Sequence, residues 1–341
     1  MIGYYVHHQG SGHLHRMLSF SAQVREPLTV LSSLPRPTDC TLPWVRLADD
    51  AHSAAVVDVD AHGTLHWVPR HHPGLRTRTA QVATWLEQEQ PELVVVDVSV
   101  EIATLVRLAG VPVVVMAMPG ERRDRAHRLA YDLADAMVAP WPPGLGVENW
   151  PPEWIAKTTF VGAVGRFDAR PRLRPVDEGT SPRGLLLWGR GGDSRVGGRL
   201  DELRRATPGW TWEAAGPGCP MSANQVWTAL CRCDVAVSHA GQNAVAELAA
   251  ARTHAVVVAD DRPFDEQRHL ARALDANGLA VGLPAWPRAE EWTRLLAQAR
   301  ARGGDEWTRW GDGLGARRMA RSIESLVREL APQAPPQPVD A

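Results

Sequence analysis

The feature that most constrains this chain is a set of short, continuous apolar runs, rich in Val, alternating with longer helical patterns. Gly3–His7, Leu28–Ser32, Leu93–Asp97, Val113–Met118 and Ala136–Ala139 are strand-sized and apolar at consecutive positions. Such runs fit strands covered on both faces, as in parallel sheets. Between them lie helical patterns at Leu14–Gln23, Arg76–Gln90, Glu101–Ala109 and Ala126–Ala134. A second set follows, with strands expected at Gly184–Trp188, Val235–Ser238, Ala255–Ala259 and Leu279–Gly282. Its helices are expected at Ala244–Ala250, Glu266–Ala276, Ala289–Arg302 and Ala316–Leu330. Strands flanked by helices imply βαβ units and doubly wound α/β domains.

With 341 residues, the chain exceeds what one core usually fills, so two domains are expected. Arg166–Arg183, rich in Pro, Arg and Gly, reads as the linker. The division is therefore 1–165, linker 166–183, second domain 184–312, a C-terminal helix over 313–330 and a disordered tail over 331–341. The alternation in His52–Pro69 suggests an extra strand or hairpin.

A formal charge of −2 excludes a basic footprint over the whole protein of the kind nucleic acid demands and leaves room only for a local patch, so no nucleic-acid partner is expected. Lys157 is the single lysine, leaving 36 of the 37 cations as arginine. The four cysteines (Cys40, Cys219, Cys231, Cys233) lack metal or disulfide spacing and read as free thiols. Nothing at the start resembles a signal peptide, and no apolar run is long enough to span a membrane. A cytoplasmic protein is expected, with peripheral membrane contact compatible with the same hydropathy.

Three strand-to-helix turns carry candidate chemistry. In the first, Gly10-Ser11-Gly12-His13 joins a strand to a helix, so Gly12 permits close backbone approach and His13 is placed as a general base. A tight turn with exposed histidines explains the same residues. His7, His8, His13 and His15 have no interleaved carboxylate or cysteine, so no metal is expected. In the second, Ser238-His239-Ala240-Gly241-Gln242-Asn243 opens a helix whose backbone N–H groups suit a diphosphate. Glu247 is on the same helical face as Asn243, placed to accept bonds from ribose hydroxyls. In the third, Asp265, Glu266 and Gln267 offer carboxylate and amide to sugar hydroxyls, although an acidic helix cap reads equally well.

These motifs together resemble the GT-B glycosyltransferases, of the MurG-like and UDP-glucuronosyltransferase-like kind. The resemblance covers nearly the whole chain in order. It includes Gly10-x-Gly12-His13-x-x-Arg16 and the glycine-rich Trp188-Gly189-Arg190-Gly191-Gly192-Asp193. It implies two Rossmann-like domains facing across a cleft, and an inverting transfer of a sugar from a nucleotide sugar, in first place a UDP-sugar. His13 would be the base. Gly12, Gly191, Gly192, His239 and Gly241–Asn243 (through Gln242) would hold the diphosphate, Glu247 the ribose, and Asp265, Glu266 and Gln267 the sugar. No cofactor and no metal are implied. Ala244 stands where plant relatives carry serine, and the roles of Arg190 and Asp193 are open.

The first domain is expected to receive the acceptor, whether small molecule, glycan or lipid-linked, through Asp97, Glu101, Arg122 and Arg123. A solvated loop explains the two arginines equally. Trp141, Trp150 and Trp154 read as packing rather than sugar platforms. A nucleotide-sugar epimerase or hydrolase, or a non-catalytic binding protein, is the alternative function.

Overall fold

A computed structural model describes residues 1–9, 12–51, 56–144, 149–173, 181–189 and 196–330. The first half runs β1 (Ile2–Val6), α1 (Gly12–Ser21), β2 (Leu28–Ser32), β3 (Trp44–Arg46), α2 (Pro73–Glu89), β4 (Leu93–Asp97), α3 (Val100–Leu108), β5 (Val113–Met116), α4 (Arg125–Leu133), β6 (Ala136–Ala139), α5 (Pro152–Ala156) and β7 (Thr158–Phe160). The second runs β8 (Arg183–Leu187), α6 (Val196–Ala206), β9 (Thr211–Ala215), α7 (Ala223–Arg232), β10 (Val235–His239), α8 (Gln242–Ala251), β11 (Ala255–Val258), α9 (Glu266–Ala276), β12 (Val281–Leu283), α10 (Trp292–Arg300) and α11 (Gly315–Leu330).

Each half forms one sheet. The first has seven strands in the order β3-β2-β1-β4-β5-β6-β7, the second five in the order β12-β11-β10-β8-β9. Every pairing is parallel. Both orders reverse direction once, at β1/β4 and at β8/β10. Crevices at the carboxyl ends of strands where the order reverses are where such sheets bind ligands. Every residue of β1, β2 and β4 is buried, as strands covered on both faces require.

The last helix does not stay with the second domain. Along α11, Ala316, Met319, Ala320, Ile323 and Val327 follow helical spacing and share a core with Ile2, Tyr4, Met17, Phe20 and Val30. Thr159 and Ser322 hydroxyls meet at 2.9 Å, and Arg318 donates to the Val161 carbonyl at 2.8 Å. The stripe of apolar side chains therefore completes the first core.

The segment expected as an extra strand is different. Residues 52–55 lie outside the described residues, and 56–69 form turns without a strand. Two bonds, Val68 N–H to Val59 O (2.6 Å) and Arg70 N–H to Val57 O (2.9 Å), close that loop on itself. The additional edge strand is β3, a three-residue segment too short to show a period. Ala289–Arg302 divides into a 3-10 turn (Ala289–Glu291) and α10. The tail over 331–341 lies outside the described residues. Among the described residues no helix is long and apolar enough to cross a membrane.

Candidate active site

The first crevice, between β1 and β4, gathers His13 onto Asp97. Gly12 opens α1 and His13 follows, half-buried, its Nδ1 2.9 Å from Asp97 Oδ1 at the end of β4. Asp97 is wholly buried and also accepts from Arg16 NH1 at 2.8 Å and Tyr4 OH at 3.3 Å. Burial by itself raises a carboxyl's pKa. The Arg16 charge, then His13 and the hydrogen bonds, outweigh it and hold Asp97 below its usual range. Asp97, expected to face the acceptor, has its hydrogen bonds with His13, Arg16 and Tyr4 of the first domain. The His7 ring, 6.0 Å from that of His13, is stacked on His8. Burial drives His7 down to about 3, so it stays neutral.

The second crevice is built by the ends of β8 and β10. His239, the last residue of β10, accepts from the Gly241 N–H at its Nδ1 (3.0 Å) and packs on Trp188. Burial, then the Arg262 and Arg199 charges, lower its pKa to about 4, so the ring is neutral. A Cβ at Gly189 or Gly241 would come within 2.7 or 2.4 Å of this ring, which explains both glycines. Gln267 is buried, and its Oε1 accepts from Ala240 N (3.1 Å) and Asp260 N (2.9 Å). It thus fixes two strand-end loops.

Helix α8 begins after Gly241 with no side chain capping it, leaving backbone donors and the positive dipole end free for an anion. The N-terminus of α1 faces it directly. A Cβ on Gly12 would lie 2.1 Å from Asn243 Nδ2, and Arg16 NH2 donates to Gln242 Oε1 at 2.7 Å. Gly12, His13, Gln242 and Asn243 are therefore brought to one place. Gly10, Arg190, Gly191, Gly192 and Asp193 lie outside the described residues.

Other candidates are already engaged. Glu247 is buried in α8 and bonded twice by Arg166, Nε to Oε1 at 2.8 Å and NH2 to Oε2 at 3.2 Å. Burial raises its pKa and Arg166 partly restrains the rise. Glu101 accepts from the backbone of His66 (2.7 Å) and Trp67 (3.0 Å) and from Ser99 OH (2.9 Å), pinning the loop before α2 to the start of α3.

Arg122, expected either to meet the acceptor or to lie in a solvated loop, is buried. It donates to Glu266 (3.1 Å), the Pro119 carbonyl (3.0 Å) and His127 Nε2 (3.2 Å), and covers the Phe264 ring. Arg122 and Glu266 thus join the two domains. Arg123 is exposed. Asp265, also partly exposed, pairs with Arg268 at 2.8 Å. Phe264 and Asp265 both adopt the left-handed region (φ 62° and 51°). That turn puts Phe264 against His66 and His127, while its carbonyl accepts from Glu121 N–H at 2.8 Å.

Two groups among the described residues bring three metal-capable side chains together: His66, Asp124 and His127, and His8, Asp49 and Asp50. In the first, Arg122 can only donate, so His127 Nε2 must accept and its Nδ1 proton faces Asp124 at 2.5 Å. Those atoms make a hydrogen-bonded array.

Arg16, Tyr4, Arg166 and Phe264 were given no role from the sequence. Arg16 had a signal, since it is three residues past His13 in the quoted motif and so shares its helical face. Phe264 had none.

No known family profile and no curated protein sequence matches the chain. Solved structures do. The glycotransferase of kitacinnamycin superposes with a TM-score of 0.66 at 13% identity, over 95% of this chain and 98% of that one. MurG from Acinetobacter baumannii gives 0.58 at 15%, over 96% and 99%. The spinosyn rhamnosyltransferase SpnG, solved with thymidine diphosphate, gives 0.60 at 16%, over 95% and 100%. The chain has the fold of these proteins, GT-B, with two Rossmann-like domains facing each other along nearly its entire length.

Proposed function

We propose that this protein is a glycosyltransferase that moves a sugar from a nucleoside diphosphate donor, in first place a UDP-sugar, to an acceptor hydroxyl with inversion. The observation that carries this is the placement of the His13–Asp97 pair against the uncapped N-terminus of α8. His13 Nε2 takes the acceptor proton while Asp97 holds the other ring nitrogen, and the acceptor oxygen attacks the anomeric carbon. The carbon–oxygen bond to the β-phosphate breaks, and the departing diphosphate is stabilised by the backbone donors of α8. The helix termini carry this electrostatic role, so no metal is required in the proposed step.

His239 and the Gly241–Asn243 turn border the diphosphate, Glu247 takes the ribose, and Glu266 and Gln267 line the sugar side. In this reading Glu247 keeps Arg166 and Glu266 keeps Arg122, and the remaining acceptor capacity of each carboxylate takes the donor's hydroxyls. SpnG, which has this fold, has been solved with thymidine diphosphate and with spinosyn aglycone, and this supports a nucleoside diphosphate donor and a separate acceptor here. An epimerase or hydrolase needs free carboxylates around the sugar, and the engagement of Asp97 and Glu101 does not favour it.

The test is calorimetric titration of UDP, dTDP, GDP and ADP into the protein, followed by transfer assays with the sugar of the nucleotide that binds. One nucleotide should bind, binding should weaken in Glu247→Ala, and EDTA should leave transfer unchanged. Binding of none removes the proposal. Nucleotide binding with no transfer leaves a sensor or partner subunit instead, and transfer that survives in His13→Ala removes His13 as the base.

A further inference from the structure

The two arms of Arg16 divide between the two domains. NH1 is on Asp97 at 2.8 Å and NH2 on Gln242, the first residue of α8, at 2.7 Å. The side chain is 2% exposed and Asp97 is 0%. A carboxylate buried this deeply persists only with a compensating charge or with a proton nearby. Its charge-capable neighbours are Arg16 and His13. Tyr4 contributes only a hydroxyl, and its pKa is raised by burial, so it stays neutral.

We propose that Arg16 is a positioning residue that supplies the balancing charge for Asp97, so that His13 is free to remain unprotonated and act as a base. Asp97 carries −1 and Arg16 +1, which leaves the imidazole to contribute nothing to the balance. Without Arg16, the least costly way to pair Asp97 is to protonate His13, which removes the base. Gln242 holds the second arm, and with it the guanidinium plane, from across the cleft. The other ring near His13 is that of His7, just past β1, with His8 stacked behind it, while the uncharged Gln242 and Asn243 of α8 lie against the neighbouring Arg16 and Gly12. Burial keeps His7 neutral. None of these supplies the cation that Arg16 does.

This inference rests on His13 being the base of the proposed transfer, but its test needs no substrate. The titration of the His13 ring is followed by NMR in the full-length wild type, Arg16→Met, Arg16→Gln and Arg16→Lys, with His13→Ala to assign the resonance. The midpoint should move to higher pH in Arg16→Met, and equally in Arg16→Gln, which keeps a hydrogen bond without the charge. It should return toward the wild-type value in Arg16→Lys, a rescue that a merely structural role would not produce. A folded Met or Gln variant whose His13 titrates as in wild type overturns the inference, and so does a Lys variant that titrates like Met. If Met does not fold, Gln decides alone. Calorimetry with UDP, dTDP, GDP and ADP on the same samples separates the two levels: wild type binding none of them sinks the donor reading and leaves the titration result standing.

Discussion

Arg166, at the start of the connection between the domains, grips Glu247 of α8 with both a 2.8 Å and a 3.2 Å bond. Glu247 is 6% exposed, so its charge depends on that partner. Arg166→Met should therefore destabilise the protein by about 3 kcal/mol, the lower end of the cost of stranding one member of a buried pair. Chemical denaturation measures it. Adding Glu247→Gln to Arg166→Met should recover most of the loss, because no unpaired charge then remains buried. No recovery would show that the pair matters only through packing.

Asp97→Asn should lower transfer about 10²- to 10⁴-fold while nucleotide affinity is retained. The amide presents an N–H or an oxygen to His13 with no charge, so the imidazole loses the group that selects its tautomer. Equal losses in turnover and nucleotide affinity would instead point to a collapsed site.

Gly12→Ala places a methyl 2.1 Å from Asn243 Nδ2. That amide is the end of a flexible side chain and can swing away, so the fold should survive. The turn proposed to hold the diphosphate should not, and nucleotide affinity should fall about tenfold, equivalent to about 1.4 kcal/mol. Asn243→Ala in the same chain should restore the interface; unchanged affinity in Gly12→Ala alone would place the diphosphate elsewhere.

At Phe264, glycine and alanine lose the same ring but differ in backbone. With φ at 62°, alanine retains the left-handed penalty that glycine escapes, so Phe264→Gly should be the more stable by about 1 kcal/mol. The reverse order would mean that the loop relaxes once the ring is gone.

Asp168 gives the protein a pH dependence of known sign. Burial, only partly offset by the Gly165 and Ala316 N–H groups, raises its pKa from 3.8 to about 7. The folded state then binds the proton more tightly than the unfolded state. The stability that Asp168 contributes is complete below about pH 4 and is lost as pH climbs to about 7. Asp168→Asn, which keeps an acceptor for Gly165 N–H, should flatten the melting temperature over that interval. A wild-type melting temperature that is flat there would remove Asp168 as the cause.

Sequence reasoning reached the strands and helices whose apolar positions are continuous or periodic, and missed those where other forces decide. β9 (Thr211–Ala215) is an edge strand with two exposed residues, and α6 begins Val196-Gly197-Gly198, a pattern that reads as a turn. The turn glycines identified the two helix N-termini that meet across the cleft. What could not be read was occupancy: Arg122 and Glu266 are 144 positions apart, a separation that leaves no pairing signal in a single sequence. Only the folded arrangement shows that each neutralises the other.

Because α11 completes the first core, the polypeptide passes between the domains twice, once after β7 and once before Gly315. The two halves are thus linked by two chain connections and also by the Arg16–Gln242 and Arg122–Glu266 contacts, so that any separation of one half from the other has to break both side-chain pairs together.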